Sequence, residues 1–401
     1  MSLSNGTHYL AIPGPSVSPE EVLRSMHRTA PNIYTGALHD MVDTIIPDLK
    51  RVARTRHEVA MYIANGHGVW EAAVTNTLSR GDKVLCLATG RFGEGWGALA
   101  ANLGIEVEMM DFGRRAPVDL AAVQARLAQD DAHAIKAVLV VQVDTATSVR
   151  NDIAGLRAAM DAAGHPALLM SDNIACLGCD AFEMDDWGVD VMITGSQKGL
   201  MVPPGMAFVY YSPKADAARD TADLVTPYWD WRPRSHAQVF YQYFFGTAPT
   251  HHLHGLRTAL DMIHEEGIEA VWARHAGLAS AVWAAVDAWG AGGAMELNIA
   301  DPAMRSHAVT AVRLGAPDGK RLQDWVSANA GVTLGIGLGM ETEEDPDCTG
   351  FFRIGHMGHV NVQMVMGCLG AIDTGLKALD IPHGSGALEA ASAALAAASR
   401  G

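Results

Sequence analysis

Between residues 58 and 212 the sequence alternates short apolar runs with segments of helical pattern, and this alternation constrains the fold more than any other feature. Several runs are continuously apolar, which is typical of strands buried on both faces of a mainly parallel sheet. The helical segments between them end next to glycine, which commonly terminates helices. The predicted strands cover residues 58–64, 83–88, 107–112, 137–143, 167–171, 189–194 and 207–211. The pattern therefore predicts an α/β fold with a mainly parallel sheet sandwiched by helices.

After Pro213 the pattern changes to long helical segments with fewer strands. At 401 residues the chain is also too long for a single hydrophobic core. We therefore expect an N-terminal segment (1–20), a large domain (21–265) and a smaller C-terminal α+β domain (266–401). The alanine-rich tail after Gly386 predicts a weakly packed helix or a frayed end. In this half, helices are predicted at 251–266, 268–289, 321–330 and 361–379, and strands at 308–314, 332–338 and 351–354.

The composition disfavours several classes of function. The formal net charge of −16 argues against nucleic acid or an anionic membrane as the main partner, but it is compatible with a small anionic substrate. We expect no signal peptide and no membrane-spanning segment. Five scattered cysteines indicate reduced thiols in a cytoplasmic protein. Cys176 and Cys179 have the spacing of a metal or redox pair, but no second pair completes a zinc site, so we interpret them as core residues.

A lysine and an aspartate follow two successive predicted strands. Lys198 lies in Gly195-Ser-Gln-Lys-Gly199, and Asp172 directly follows an apolar run that ends at Ser171. In an open parallel sheet both positions lie at the carboxyl edge, where ligands bind. An amine that forms a Schiff base with an aldehyde, and a carboxylate that keeps a pyridine nitrogen protonated, are what pyridoxal 5'-phosphate requires. The plainer interpretations are a solvated loop lysine and a helix N-cap.

Other residues at the same predicted edge extend this site. The turn Gly66-His67-Gly68 leads from a strand into a helix, where backbone N–H groups and the helix dipole favour a phosphate. Phe92 follows the next strand and either stacks on a flat ring or caps the sheet. Thr145 follows a third strand and offers a hydroxyl near the ring oxygen, or it belongs to a simple helix cap.

One arginine, Arg353, lies in an apolar strand of the C-terminal half. The planar guanidinium can bind a carboxylate through two parallel hydrogen bonds, so Arg353 is a candidate for substrate binding. The alternative is a buried arginine that neutralises an internal acid.

Together these residues resemble the class V branch of fold-type I pyridoxal-phosphate aminotransferases, and within it the serine–, alanine– and aspartate–glyoxylate aminotransferase group. The resemblance runs from Pro13 to about residue 379 and so covers most of the chain. Its most specific parts are Gly195 to Gly199 with Pro203-Pro204-Gly205, Trp187-Gly-Val-Asp190, Trp70-Glu71 with Thr75-Asn-Thr-Leu78, and Arg353-Ile-Gly-His-Met-Gly358.

The resemblance implies a homodimer with active sites at the subunit interface, and it implies a role for each matching residue. Lys198 is then the Schiff-base lysine that also moves the proton, and Asp172 binds the ring nitrogen. Arg353 is expected to bind the substrate α-carboxylate, and Thr247 to reach the phosphate of the partner subunit. The remaining cofactor contacts implied are Phe92 against the ring, Thr145 near the ring hydroxyl, and Gln197 with Gly66, His67 and Gly68 at the phosphate.

The sequence departs from the family pattern at four places. A His-Arg pair near the N-terminus is replaced by Asn32-Ile-Tyr-Thr-Gly36, so Tyr34 becomes the candidate substrate contact in that segment. Phe244 replaces a tyrosine that contacts the phosphate across the interface. His67 takes the place of a small hydroxyl residue, and Asp144 takes the place of a glutamate. These changes leave the Lys198–Asp172–Arg353 set intact and bear on the substrate.

The sequence thus predicts transfer of an amino group from a small amino acid, such as serine or alanine, to glyoxylate or a related 2-oxo acid. Acidic residues between 341 and 347 favour a neutral donor over aspartate. The alternative is a pyridoxamine–pyruvate aminotransferase, which shares the 353–358 motif but lacks the glutamine before the lysine. A cysteine desulfurase is disfavoured, because Cys348 lies only five residues before Arg353 and no histidine precedes Lys198. A non-catalytic cofactor-binding protein is disfavoured too, since no DNA-binding segment is present.

Overall fold

The computed structural model describes residues 3–400. Within them the strands are, in chain order, β1 (Tyr9–Ala11), β2 (Glu58–Tyr62), β3 (Lys83–Ala88), β4 (Glu106–Asp111), β5 (Ile135–Val141), β6 (Leu168–Asp172), β7 (Val191–Gly195), β8 (Ala207–Tyr211), β9 (Glu296–Leu297), β10 (Val309–Arg313), β11 (Val332–Ile336) and β12 (Phe351–Gly355). The α-helices are α1 (Glu20–Met26), α2 (Ala37–Val52), α3 (Gly66–Thr77), α4 (Arg91–Asn102), α5 (Leu120–Ala128), α6 (Ile153–Ala162), α7 (Pro213–Ala218), α8 (Trp231–Ser235), α9 (Thr250–Glu266), α10 (Ile268–Gly290), α11 (Asp318–Ala330), α12 (Val362–Ala378) and α13 (Ala387–Ala398). Short 3₁₀ helices cover Phe240–Tyr243 and Pro302–Met304.

The large sheet has seven strands in the order β2-β8-β7-β6-β5-β3-β4. All neighbouring pairs are parallel except those that β8 makes with β7 and β2. Successive residues of β3 enter different cores, Leu85 and Leu87 on one face and Val84 and Cys86 on the other. Because helices cover both faces, the central strands β5, β7 and β8 are mostly apolar, whereas the edge strand β4 alternates charged and apolar residues and is largely half-buried or exposed. The predicted α/β architecture is confirmed.

A second sheet of five strands has the order β1-β11-β12-β10-β9. It packs with α10, α11, α12 and α13 around a separate core that contains Trp289 and Phe352. The first strand, β1, pairs in parallel with β11. The N-terminal chain is therefore anchored in the second sheet before it crosses the carboxyl edge of the first. The predicted domain boundaries, 1–20, 21–265 and 266–401, stay a prediction.

Predicted and observed elements agree to within a few residues. Of the two alternatives for the alanine-rich tail, the structure has the helix: α13 packs along α10 and is not a frayed end. Ala387 and Ala391 of α13 are buried, and the ideal position of a side chain at Gly277 in α10 lies 3.1 Å from Cβ of Ala398. Small side chains on both helices allow a close approach, so many small contacts replace a few large ones.

None of the described helices combines the length and the hydrophobicity needed to cross a bilayer.

Candidate active site

A cavity of about 290 Å³ opens at the carboxyl ends of the parallel strands, where β3, β5, β6 and β7 lead into loops and helices. This is the edge at which open α/β sheets bind ligands. Its walls come from the N-terminal segment, the starts of α3 and α4, and the loops after β5, β6 and β7. The cavity brings together seven residues that the sequence analysis singled out, namely Gly66, His67, Phe92, Thr145, Asp172, Gln197 and Lys198.

Lys198 is held in the cavity by the N-terminal segment. Its Nζ donates to the carbonyl oxygen of Pro13, and its own carbonyl accepts a hydrogen bond of 2.7 Å from the hydroxyl of Ser16. Burial lowers the pKa of the lysine to about 8, the Arg353 cation adds to the decrease, and the Asp172 carboxylate opposes it. A lowered pKa supplies free amine near neutral pH, which is the nucleophilic form. These contacts argue against a solvated loop lysine.

The Lys198 side chain passes so close to position 14 that only glycine fits there. A Cβ at Gly14 would lie 2.4 Å from both Cε and Nζ of Lys198, and the glycine has φ +108°. We expect Gly14→Ala to lower kcat by roughly 100-fold, because a displacement of about 1 Å at a reacting group costs that much. The measurement is kcat together with the content of bound cofactor.

Gly113→Ala is the matched control for this substitution. Gly113 also has positive φ (+76°), but no atom lies within 4 Å of its added Cβ. It shares the backbone strain without the collision with Lys198. If Gly14→Ala and Gly113→Ala lost activity equally, the close contact between Gly14 and Lys198 would not matter for catalysis.

Asp172 ends β6 and faces the cavity with both oxygens hydrogen-bonded. Oδ1 accepts from the backbone N–H of Ile174 at 2.7 Å, and Oδ2 accepts from Nε1 of Trp70 at 2.6 Å. Burial raises the pKa of Asp172 to about 6, while these two donors oppose the increase. Each oxygen keeps one lone pair for a further donor. The carboxylate therefore suits a cationic N–H in the cavity better than a helix cap.

The first residues of α3 present unpaired backbone donors to the cavity. The N–H groups of Gly66 and His67 have no partner among residues 3–400, whereas the N–H of Gly68 donates to the Asn65 side chain at 3.3 Å. These donors and the dipole of the 12-residue helix favour an anion at this point. Gly66 and His67 line the cavity, but Gly68 is engaged in the N-cap of α3.

Phe92 is positioned by a buried carboxylate at the start of α4. Oδ2 of Asp144 accepts from the backbone N–H of Phe92 at 2.8 Å and of Gly93 at 3.3 Å, and Oδ1 accepts from Ala146. Burial raises the pKa of Asp144, and the backbone donors oppose the shift. The aspartate that stands in the place of the family's glutamate thus caps α4 and fixes the residue at the cavity wall.

Arg353 lies behind Thr145 with most of its guanidinium uncommitted. Nε donates to the carbonyl of Ile336 at 2.7 Å and Nη1 to that of Thr145 at 2.8 Å. No carboxylate of the described residues lies within ion-pair distance of Arg353. Burial lowers the pKa of Arg353 to about 10, and the charge of Asp144 opposes this decrease. The arginine is only 6% exposed, and a buried charge without a counter-ion favours binding of an anion. This disfavours the interpretation that Arg353 neutralises an internal acid.

Two predicted residues lie away from the cavity of their own chain. Tyr34 is 81% exposed, and Thr247 is exposed in the segment that precedes α9. Both lie near a separate hollow lined by residues that include Ile33, Val239 and Tyr241. Their roles stay predictions.

The sequence analysis did not assign a role to three residues of the site. Trp70 was part of a family motif but was not connected with Asp172, and Pro13 and Gly14 were not connected with Lys198. No local signal reveals these contacts, because their partners are 102 or more residues away along the chain.

The residues present fit pyridoxal 5'-phosphate. A nucleophilic amine (Lys198) and a carboxylate with free lone pairs (Asp172) share one cavity, as the cofactor's aldehyde and ring nitrogen require. The buried Oε1 of Gln197 has no partner among the described residues, so this side-chain amide is uncommitted next to the lysine. The unpaired N–H groups at the start of α3 suit the phosphate. Volume, charges and donors are therefore all consistent with the cofactor.

Comparison with known proteins gives a coherent result. Residues 8–338 match the family described as aminotransferase class-V. A serine–glyoxylate aminotransferase of Arabidopsis thaliana is 36% identical over 94% of this chain and 92% of its own length. An L-aspartate–glyoxylate aminotransferase of Paracoccus denitrificans is 36% identical over 92% of this chain and 91% of its own length. The structure of a pyridoxamine–pyruvate aminotransferase from Mesorhizobium loti superposes with a TM-score of 0.87 at 27% identity, covering 99% of this chain and 100% of that one.

Proposed function

The chain belongs to the class-V aminotransferase family, and we propose that it transfers the amino group of a small amino acid to glyoxylate or a related 2-oxo acid. One observation carries the proposal. The amine of Lys198 and the carboxylate of Asp172 line the same cavity, and the uncompensated charge of Arg353 lies directly behind its wall. This set provides a nucleophile, an electrostatic partner for the cofactor ring and an anchor for a carboxylate.

We propose that each residue of this set has a distinct task. Pyridoxal 5'-phosphate, when bound, supplies the aldehyde carbon that takes up the amino group and the ring that accepts electrons. Lys198 would attach the cofactor through its amine, and the same amine would carry a proton to and from the reacting carbon as a general base and acid. Asp172 would pair with the protonated ring nitrogen. Arg353 orients the α-carboxylate of either substrate through its remaining N–H groups.

Further contacts would hold the cofactor in place. The N–H groups of Gly66 and His67 and the amide of Gln197 are proposed to bind the phosphate. The ring of Phe92 is proposed to stack on the cofactor ring, and the hydroxyl of Thr145 to lie near its oxygen. The N–H of Gly68 is committed to Asn65, so its contribution is the tight turn.

The proposed donor is a neutral amino acid such as serine or alanine. Relatives are named for serine, aspartate and alanine as donors to glyoxylate, so the names alone leave the donor open. Glu341, Glu343 and Glu344 are exposed in the loop that precedes Arg353. If substrates enter past this negative loop, a second carboxylate on the substrate would be disfavoured. Glyoxylate fits this argument, because it has a single carboxylate, the one that Arg353 would bind.

The visible absorption spectrum of the purified protein tests the proposal. Serine, alanine, aspartate and pyridoxamine are added in separate cuvettes, and glyoxylate or pyruvate follows. We expect the band of the bound cofactor to disappear with one of the amino acids and to return with glyoxylate. A protein without the band, or one on which no amino acid acts, would contradict the proposal.

Pyridoxamine–pyruvate transamination is the second candidate, because the structure of that enzyme superposes closely with this chain. The unpaired N–H groups of Gly66 and His67 favour retention of a phosphorylated cofactor, whereas the rival treats the unphosphorylated vitamer as its substrate. Extensive dialysis separates the two. Retained cofactor supports the glyoxylate enzyme, and a colourless protein that transaminates pyridoxamine supports the rival.

The lowered pKa of Lys198 predicts how cofactor uptake depends on pH. Only the free amine attacks the aldehyde, so the uptake rate should rise with pH, fall about tenfold per unit below its midpoint, and level off above it. With a pKa of about 8, the midpoint is expected near pH 8. Stopped-flow absorbance of the cofactor-free protein measures this rate. A rate independent of pH between about 6 and 9 would contradict the depressed pKa.

We also propose a homodimer in which Thr247 and Tyr34 of each subunit extend towards the cavity of the other. Their exposure and distance from their own cavity support this arrangement. We propose a cytoplasmic location, because all five cysteines of the described residues are free thiols. Sedimentation velocity of the holoenzyme tests the dimer, and a monomer with full activity would contradict it.

A further inference from the structure

We propose that Trp70 is a positioning residue that acts through Asp172, holding the carboxylate in its anionic form and in the orientation that the cofactor ring nitrogen requires. The inference rests on the proposed function, since it concerns the same site. It starts from one hydrogen bond, in which the indole Nε1 of Trp70 donates to Oδ2 of Asp172 at 2.6 Å. Both side chains are buried, with 2% and 3% exposed.

The first step is the chemistry of the donor. An indole N–H can only donate, so the oxygen that receives it must offer a lone pair. The bond therefore favours the carboxylate over the carboxylic acid. The backbone N–H of Ile174 acts in the same way on the other oxygen. Together these two donors replace part of the hydration that Asp172 loses in the interior.

The second step is the balance of charges around Asp172. Burial raises its pKa to about 6, Asp144 adds to the increase, and the N–H groups and Lys198 oppose it. Cys176 is a further ionisable group near Asp172, but burial raises the pKa of this thiol and keeps it neutral. Asp172 is therefore close to the point at which it would take up a proton. Loss of one donor would move it further towards the neutral acid, which cannot stabilise a cationic ring nitrogen.

The third step is the rigidity of the indole. The ring of Trp70 stacks on Trp96 with centroids 6.2 Å apart and an interplanar angle of 12°. It also meets the rings of Phe92 and His67 edge-on, at 6.3 Å and 4.6 Å. Phe92 and His67 are themselves proposed cofactor contacts. Trp70 thus lies between the start of α3, the start of α4 and the end of β6, and its packing fixes the direction of its N–H.

The chain offers a matched control in the same ring stack. Trp96 is also buried, but its Nε1 has no hydrogen-bond partner among residues 3–400. Trp70→Phe and Trp96→Phe therefore make the same chemical change, remove a similar volume and each leave an aromatic ring in the stack. Only Trp70→Phe removes a donor from Asp172.

The primary measurement is the pKa of Asp172 in the cofactor-free protein, by infrared absorption of the protonated carboxyl group as a function of pH. Asp172→Asn identifies the band. We expect Trp70→Phe to raise the midpoint by about one unit or more, as loss of a hydrogen bond to a charged group predicts, and Trp96→Phe to leave it unchanged. Equal midpoints in the two variants would overturn the proposal.

A second measurement is the affinity of each cofactor-free protein for pyridoxal 5'-phosphate. We expect about tenfold or greater weakening in Trp70→Phe relative to Trp96→Phe, and no further weakening when Trp70→Phe is added to Asp172→Asn. Additive losses would mean that Trp70 acts by packing alone. If Trp70→Phe does not fold, benzothienylalanine at position 70 keeps the bicyclic ring and removes only the N–H.

These outcomes are separable from failure of the proposed function. A wild-type protein that binds no pyridoxal phosphate would refute the proposed function, while the infrared midpoints would still decide whether Trp70 controls Asp172. A wild-type protein that binds the cofactor, with both phenylalanine variants alike, would refute the role of Trp70 alone.

Discussion

Replacing Lys198 by alanine is expected to lower kcat for transamination by roughly four orders of magnitude, the upper range for loss of a proton-transfer group. One amine has two tasks in the proposed mechanism, attachment of the cofactor and movement of the proton, and no other amine lines the cavity among the described residues. The fold should persist, because the Lys198 side chain contacts the Pro13–Gly14 segment and not a hydrophobic core. The measurement is multiple-turnover kinetics with the donor identified by spectroscopy.

Two controls separate chemistry from structure in this experiment. Lys136→Ala removes an exposed lysine whose Nζ contacts only the carbonyl of His133, and it should leave kcat unchanged. Small primary amines added to Lys198→Ala should restore part of the activity, since they supply the missing base. Lys198→Ala enzyme that turned over many times at the wild-type rate would refute the mechanism.

The second large effect is expected for Arg353→Ala, which should raise KM for both the amino acid and the oxo acid by roughly one to three orders of magnitude. The substitution removes a charge-assisted, bidentate partner of the carboxylate, and truncation of such a buried partner costs about 2–5 kcal/mol. It also removes the hydrogen bonds that Arg353 donates to the carbonyls of Ile336 and Thr145, so some loss of stability is expected. Thermal unfolding of the variant measures this loss of stability separately from the change in KM.

A comparison of substrates isolates the role of Arg353 in binding. The wild-type enzyme should prefer an amino acid over the corresponding amine without a carboxylate, and in Arg353→Ala this preference should collapse. Arg353→Lys keeps the charge but loses the planar pair of donors, so its KM should lie between that of the wild-type enzyme and that of Arg353→Ala. Unchanged KM values in Arg353→Ala would show that the carboxylate is bound elsewhere.

Local sequence patterns predicted most of the architecture. The short apolar runs located every strand of the large sheet to within three residues, and those of the central strands are continuous because a strand buried on both faces needs apolar side chains on both. The same reasoning located Lys198 and Asp172 at one sheet edge, since parallel strands present their carboxyl ends together. It left a weakly packed helix and a frayed end as alternatives for α13, because an alanine-rich segment lacks a strong amphipathic pattern; the helix that forms packs through the closeness that small residues permit.

The sequence by itself therefore determined the fold class, the edge that carries the site, and the residue types that fit pyridoxal phosphate. The tertiary structure decided how those residues are tuned. The hydrogen bond from Trp70 to Asp172 spans 102 residues, that from Lys198 to Pro13 spans 185, and that from Arg353 to Thr145 spans 208. Strand and helix periods repeat over a few residues, so they carry no information about such pairs. Only the packing of the two sheets and the crossing N-terminal segment bring these groups together, and with them the pKa values on which the proposed chemistry depends.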